Sequence, residues 1–152
     1  MKCVSESEPY LQQALNEHHE LHQHVTEIGA ALEADPTEVS QQQWELLRGR
    51  LVALRQRLFA HFQQEEEGGY LEEAICRAPT MANAAAQLQK QHCEFLSELA
   101  AAIEAPQGKR KASEMWLETR ERFGQLAKRL LAHEQAENVL LGRAFNVDLS
   151  TE

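Results

Sequence analysis

Apolar residues recur along the chain at alternating steps of three and four, the spacing that places side chains on one stripe of an α-helix. The stripe is clearest at Trp44, Leu47, Leu51, Leu54 and Leu58, and similar stripes occur before and after it. Proline and glycine separate the stripes. The pattern predicts four long helices, over 7–34, 36–66, 80–104 and 111–143.

A start signal precedes the second predicted helix. Asp35 can cap it, Pro36 suits its first position, and Glu38 can complete a capping box. Short alternating runs rich in Val, Ile or Thr, which would indicate strands, are absent from the sequence. We therefore predict an all-α fold: an up-down-up-down antiparallel four-helix bundle that forms a single domain over 1–152.

The composition limits the partners of such a bundle. A formal net charge of −9 disfavours nucleic acid and anionic membrane surfaces, which require a basic face on the protein. No apolar stretch is long enough to span a bilayer, and the N-terminus lacks the apolar core of a signal peptide. We expect a soluble cytoplasmic protein, and the sequence leaves its oligomeric state open.

The apolar stripes are interrupted by histidine and glutamate. The second helix continues its stripe with His61 and Glu65, and the fourth places His133 and Glu137 in the same way. Each pair is separated by four residues and therefore lies on one helix face, about one turn apart. The stripe of the third predicted helix contains His92.

On the first helix, His18 fits the inward stripe best. In an antiparallel bundle the start of one helix lies beside the end of the next, so all four histidines reach a similar level at a rise of about 1.5 Å per residue. Such groups are costly in a core unless they are paired or bind a metal. Four histidines and two glutamates exceed one tetrahedral zinc and suit two octahedral irons bridged by both glutamates.

Three further residues are weaker candidates for metal ligands. His22 lies one turn from His18 on the same face and could replace it or join it. Glu66 and Glu134 are next to the main candidates, and either could supply an additional oxygen. The alternative for both is a solvated position beside the site.

Four segments together resemble the hemerythrin-like, or HHE cation-binding, domains: "LNEHHELHQHV", "HFQQE", "LQKQHCEFL" and "HEQAE". The resemblance covers residues 8–145. It implies a non-haem diiron centre with an oxo or hydroxo bridge, in which Glu65 and Glu137 are the bridging carboxylates. The terminal ligands would be His18, His61, His92 and His133.

Two positions depart from the oxygen-carrying hemerythrins. Those proteins have two histidines four apart on the third helix, where this chain has Leu88 and His92, and an aspartate one step later than Glu137. The pattern is closer to bacterial HHE proteins and to iron-sensing relatives. Diiron binding is therefore a firmer expectation than reversible oxygen carriage.

Three functions are consistent with these residues. The first is binding of dioxygen or a related small ligand, or sensing of iron and oxidants, at the diiron site. The second is a diiron enzyme that acts on peroxide, nitric oxide or dioxygen, although the sequence assigns no catalytic residue. The third is a metal-free interaction bundle.

Overall fold

The computed structural model describes residues 8–67, 69–104 and 110–146. Within these ranges the protein is helical and contains no strand. Four long helices and one short helix follow one another along the chain. They are α1 (Glu8–Leu32), α2 (Gln41–Glu66), α3 (Tyr70–Arg77), α4 (Ala82–Glu104) and α5 (Ala112–Phe145).

The second long helix begins later than the sequence predicted. Asp35 does act as a cap, but of a separate 3-10 turn over Pro36–Glu38, where its carboxylate accepts a hydrogen bond from the Thr37 amide at 3.0 Å. The capping box of α2 is formed by Ser40 and Gln43, which bond each other's backbone amides through their side chains. The prediction of a helix from Pro36, with Glu38 in the box, is wrong, because α2 begins at Gln41 and its cap is Ser40.

The short helix α3 lies within 67–79, between two predicted helices, where the sequence predicts no helix. Leu71 and Ala74 of α3 are completely buried, and Arg77 pairs with Glu73 one turn before it at 3.0 Å. A helix of eight residues is marginal in isolation and depends on tertiary packing. Its stability therefore comes from contacts with the long helices.

The remaining helix bounds differ from the predictions by about a turn or less. The first long helix ends at Leu32, and a 3-10 turn over Pro79–Met81 leads into α4. The last helix continues to Phe145 and ends at Asn146, which adopts a left-handed conformation with φ of 57°. Asparagine is among the few residues other than glycine that adopt this cap geometry readily.

Side chains tie neighbouring long helices together at several levels. Arg48 of α2 donates a hydrogen bond to the carbonyl of Ile103, and Arg55, further along α2, donates to Leu96, which comes earlier in α4. The Trp116 indole at the start of α5 donates to the carbonyl of Leu32 at the end of α1. The long helices thus surround a common core, an arrangement compatible with a helical bundle.

The core consists of two apolar clusters. The larger is rich in leucine, includes Leu51, Leu54 and Leu58, and draws on all four long helices. The smaller, near α3, is rich in alanine and includes Leu71 and Leu140. On α1, α4 and α5 the predicted histidine lies between residues of the two clusters, whereas on α2 His61 lies between Leu58 and Phe62 of the larger cluster. Among the described residues, no helix is long and apolar enough to cross a membrane.

Candidate metal centre

The six main candidate ligands form a layer between the two apolar clusters. Each side chain is at most 5% exposed. The layer combines one residue each from α1 and α4 with an i, i+4 pair each from α2 and α5. Its members are His18, His61, Glu65, His92, His133 and Glu137.

Their ligand atoms form two groups, each within a span of 4.8 Å. His18 and His61 belong to the first group, and His92 and His133 belong to the second. Glu65 and Glu137 belong to both groups. The structure therefore brings all six predicted residues together as two adjacent four-residue sets that share their carboxylates.

Each glutamate faces one histidine of each group. Glu65 contacts His61 Nε2 through one oxygen, and its other oxygen lies 3.4 Å from His92 Nε2. Glu137 Oε1 lies 2.9 Å from His133 Nε2 and 3.7 Å from His18 Nε2. A carboxylate placed between two imidazole nitrogens in this way has the position required to bridge two cations.

Three of the four histidine rings are held from outside the layer through Nδ1. Residues on adjacent helices lie opposite this atom: Asn138 Oδ1 at 2.9 Å for His18, Glu17 Oε2 at 2.6 Å for His61, and Gln91 Oε1 at 2.7 Å for His133. An acceptor at Nδ1 favours the tautomer whose Nε2 carries a lone pair. Metal-binding histidines are commonly oriented in this way.

The fourth ring, that of His92, is held mainly by stacking. Phe62 lies parallel to it, with an angle of 5° between the rings and 3.9 Å between their centroids. The nearest carboxylate oxygen to His92 Nδ1 is that of Glu66, at 3.8 Å, too far for a hydrogen bond. An aromatic face thus replaces the polar partner that the other three rings have.

Sequence reasoning missed Glu17, Gln91 and Asn138 as orienting residues. Each is adjacent in sequence to a predicted ligand, but it contacts the histidine of a neighbouring helix. A search for polar residues next to the buried stripe, at the level of the ligands, would have selected them. Their pairing across helices could not be read from spacing along one helix.

The carboxylates have opposite pKa shifts. Burial opposes ionisation of Glu65, but its interactions with the neighbouring Glu137 and His61 side chains hold the pKa of this carboxyl well below its usual range. Burial and the neighbouring Glu65 charge raise the pKa of Glu137 well above its usual range. Two adjacent buried carboxylates do not both ionise readily unless a cation compensates them. Divalent cations in this layer would supply that compensation.

The histidines also differ in their pKa values. Burial and the nearby His61 lower the pKa of His18 to about 4, and burial and His92 lower that of His133 to about 3. Burial opposes protonation of His61, but hydrogen bonds with Glu17 and Glu65 raise its pKa to about 9. At neutral pH, His18 and His133 are therefore uncharged, the state that binds metal.

Several atoms of the layer lack hydrogen bonds. Within the described part of the chain, neither oxygen of Glu137, nor Nε2 of His92 or His133, has a partner with hydrogen-bond geometry. Buried polar atoms are normally satisfied, and each such atom costs about 1–3 kcal/mol when it is not. The donor set, four imidazoles and two carboxylates, is one that iron accepts. The residues present therefore fit two metal ions.

The three weaker candidates are placed differently. His22 and Glu66 are exposed and belong to neither close group, so the structure does not bring them into the layer. Glu134 is only 6% exposed, and its Oε1 finds no hydrogen-bond partner among the described residues. Burial raises the pKa of Glu134 to about 8. Glu134 also lies outside both groups, although it flanks them.

Comparison with known proteins adds no identification to this geometry. No protein-family model, no curated protein and no solved structure matches the chain. The arrangement of the buried histidines and glutamates is therefore the feature that points to a function.

Proposed function

We propose that the chain is a hemerythrin-like protein that holds two iron ions and binds dioxygen or a related small ligand, or senses iron and oxidants. One observation carries this proposal: Glu65 and Glu137 belong to both ligand groups. A single shared carboxylate pair between two sets of histidines is the arrangement expected of a bridged two-metal centre. A site for one metal would not require the second pair of histidines, His92 and His133.

The contacts between helices support the bundle topology that this family implies. Along α2, Arg48 and Arg55 meet Ile103 and Leu96 in reverse order along α4. The same reversal relates α1 to α5, since His18 meets Asn138 and Leu32 meets Trp116. Both pairs of helices are therefore antiparallel, as an up-down-up-down bundle requires.

The number of ligands favours iron over zinc. With two histidines and two shared carboxylates each, the two metals would have four protein ligands and open positions if they are six-coordinate. Bound iron would supply reversible redox chemistry and open coordination positions for a small ligand. Zinc with four protein ligands typically forms a closed structural site.

The protein's own residues prepare the layer for this role. Asn138, Glu17 and Gln91 fix three imidazoles with Nε2 directed to the glutamates. The apolar clusters on both sides limit the access of water, which strengthens electrostatic interactions within the layer. Such an environment favours tight binding of cations and restricts what can approach them.

Metal analysis of protein purified from iron-replete cells tests the proposal. We expect two irons per chain in the wild type and in Glu66→Gln, and a loss of iron in Glu65→Gln. The two variants are a matched pair, because Glu65 and Glu66 are neighbours on α2 and only Glu65 lies in the layer. Absence of iron from the wild type, or two irons in Glu65→Gln, would overturn the proposal.

Exposure of the reduced protein to oxygen then separates binding from catalysis. A spectral change that reverses when oxygen is removed supports a binding protein. Irreversible oxidation together with turnover of added hydrogen peroxide would indicate the alternative, a diiron enzyme acting on peroxide, nitric oxide or dioxygen. Normal stability without any metal would indicate an interaction bundle.

A further inference from the structure

A cleft between α1 and α5 leads from the surface to the metal-binding layer. Its volume is about 210 Å³, and its lining includes His18, His19, His22, Glu134 and Asn138. His18 belongs to the layer itself, and Asn138 bonds its ring. The cleft therefore reaches the first ligand group directly.

The polar residues of this cleft lie at different depths. His19 and His22 are exposed at its mouth, whereas Glu134 and His18 are 6% and 5% exposed. On α1, His22 is four residues from His18, about 6 Å along the helix axis. Side chains that can bind a metal therefore line this cleft from its exposed mouth to the buried layer, beside Leu15 and Leu131.

Glu134 occupies the position at which the cleft meets the layer. Its Oε1 is buried and lacks a hydrogen-bond partner in the described ranges. Such an atom is costly in the absence of a ligand. Glu134 is therefore unfavourable as a purely structural core residue. Its position instead suits transient contact with a cation that enters the cleft.

A second cleft, between α4 and α5, provides a comparison. It measures about 260 Å³ and reaches His133, but its lining includes Arg129 and no histidine other than His133. The Arg129 guanidinium is paired with Glu98, so the second cleft differs mainly in offering an approaching cation a single imidazole, that of His133. The lining of the α1/α5 cleft contains neither lysine nor arginine. Of the two clefts, the α1/α5 cleft is the better route for a cation.

We propose that divalent cations reach the layer through the α1/α5 cleft, with His19 and His22 as first contacts and Glu134 as the last transient ligand. This inference rests on the proposed metal-binding function and adds the route of loading. The described residues contain two close ligand groups, and neither includes these three side chains. They act during loading and are not part of a third permanent site.

Loading of metal-free protein with divalent cobalt alone tests this route. Visible absorption bands of cobalt report coordination, and rapid mixing gives the rate at which they develop. We expect the double variant His19→Ala/His22→Ala to load roughly tenfold more slowly than the wild type, because it no longer raises the local concentration of cations at the mouth of the cleft. Its final stoichiometry should be unchanged, since neither residue belongs to the layer.

Two control variants define the route. His24→Ala removes a histidine of α1 outside the cleft lining, and Glu94→Gln alters an exposed acid of the α4/α5 cleft. Both should load at the wild-type rate. Equal rates in the wild type and the double variant, or slow loading only in Glu94→Gln, would overturn the route but leave the metal centre intact. A wild type that binds no cobalt and no iron would overturn both proposals.

Discussion

The leucine-rich cluster and the histidine–glutamate layer are built on the same helical stripes and are equally buried, yet burial has opposite effects in them. Each buried leucine contributes about 1.5–3 kcal/mol to folding. Each buried charge without compensation costs several kcal/mol. Leu58 and His61 are three residues apart on α2 and differ by only a few per cent in exposure. Exposure alone therefore does not reveal whether a residue stabilises the fold.

The leucine-rich cluster is complete in the protein alone, whereas under the proposed function the layer is completed by cations. Removal of the cations should therefore have the largest effect. A cation that binds only the folded chain stabilises it by about 4 kcal/mol per site at about a thousand times its Kd. We expect calorimetry to show a lower Tm after treatment with a chelator and recovery after metal is restored. An unchanged Tm would contradict the dependence of the layer on cations.

Truncation within the leucine-rich cluster should have the next largest effect. Leu54 is fully buried, and Leu54→Ala should lower the free energy of unfolding by about 2–5 kcal/mol in denaturant titrations. The loss should be the same with and without metal, because Leu54 is about 10 Å along the helix from His61. The control Leu131→Ala, at an exposed position, should change the free energy of unfolding by less than about 0.5 kcal/mol. If the loss of unfolding free energy in Leu54→Ala differed with and without metal, the cluster and the layer would be energetically coupled.

Loss of an orienting residue should weaken the layer without affecting the cluster. Asn138→Ala removes the partner of His18 Nδ1. We expect metal affinity to fall by about 10- to 100-fold in competition with a chromophoric chelator. Gln135→Ala, at an exposed position on the same helix, is the control and should bind as the wild type does. Equal affinities in the two variants would show that the Asn138 contact does not orient His18.

Per pH unit, the smallest expected effect is a change in the pH dependence of stability. Burial and His92 lower the pKa of His133 to about 3, so in metal-free protein the unfolded chain takes up this proton near pH 6.5 and the folded chain does not. This residue therefore reduces stability as the pH falls from 6.5 towards 3, by at most about 1.4 kcal/mol per pH unit. His133→Asn should lose less stability over that range in denaturant titrations. The same slope in both proteins would contradict the shift.

The six residues of the layer could be predicted because they obey helical periodicity. His61 and Glu65 continue a stripe that leucines define, and His133 and Glu137 repeat this on another helix. Similar distances from the helix ends place His18 and His92 at the same level. The caps were less predictable, since Ser40 and Asp35 are both good cap residues and only packing decides which one starts α2.

Features that depend on contacts between helices were not predictable from spacing. The short helix α3 is stabilised because Leu71 and Ala74 are buried against other parts of the protein, and the sequence does not show this packing. Glu134 is one position off the inward stripe, about 100° around the helix, yet it is buried where α5 faces α1. His22 is on the stripe by periodicity but is exposed at the cleft.

The stacking of Phe62 on His92 restrains this ring in a different way from the other three histidine rings of the layer. Parallel rings resist tilting, but lateral sliding costs little because offset stacking is also favourable. The other three imidazoles are tied by directional hydrogen bonds that sliding would break. In the proposed two-metal centre, His92 is therefore the ring that can shift with a change in the separation of the metals, while the other three rings keep their positions.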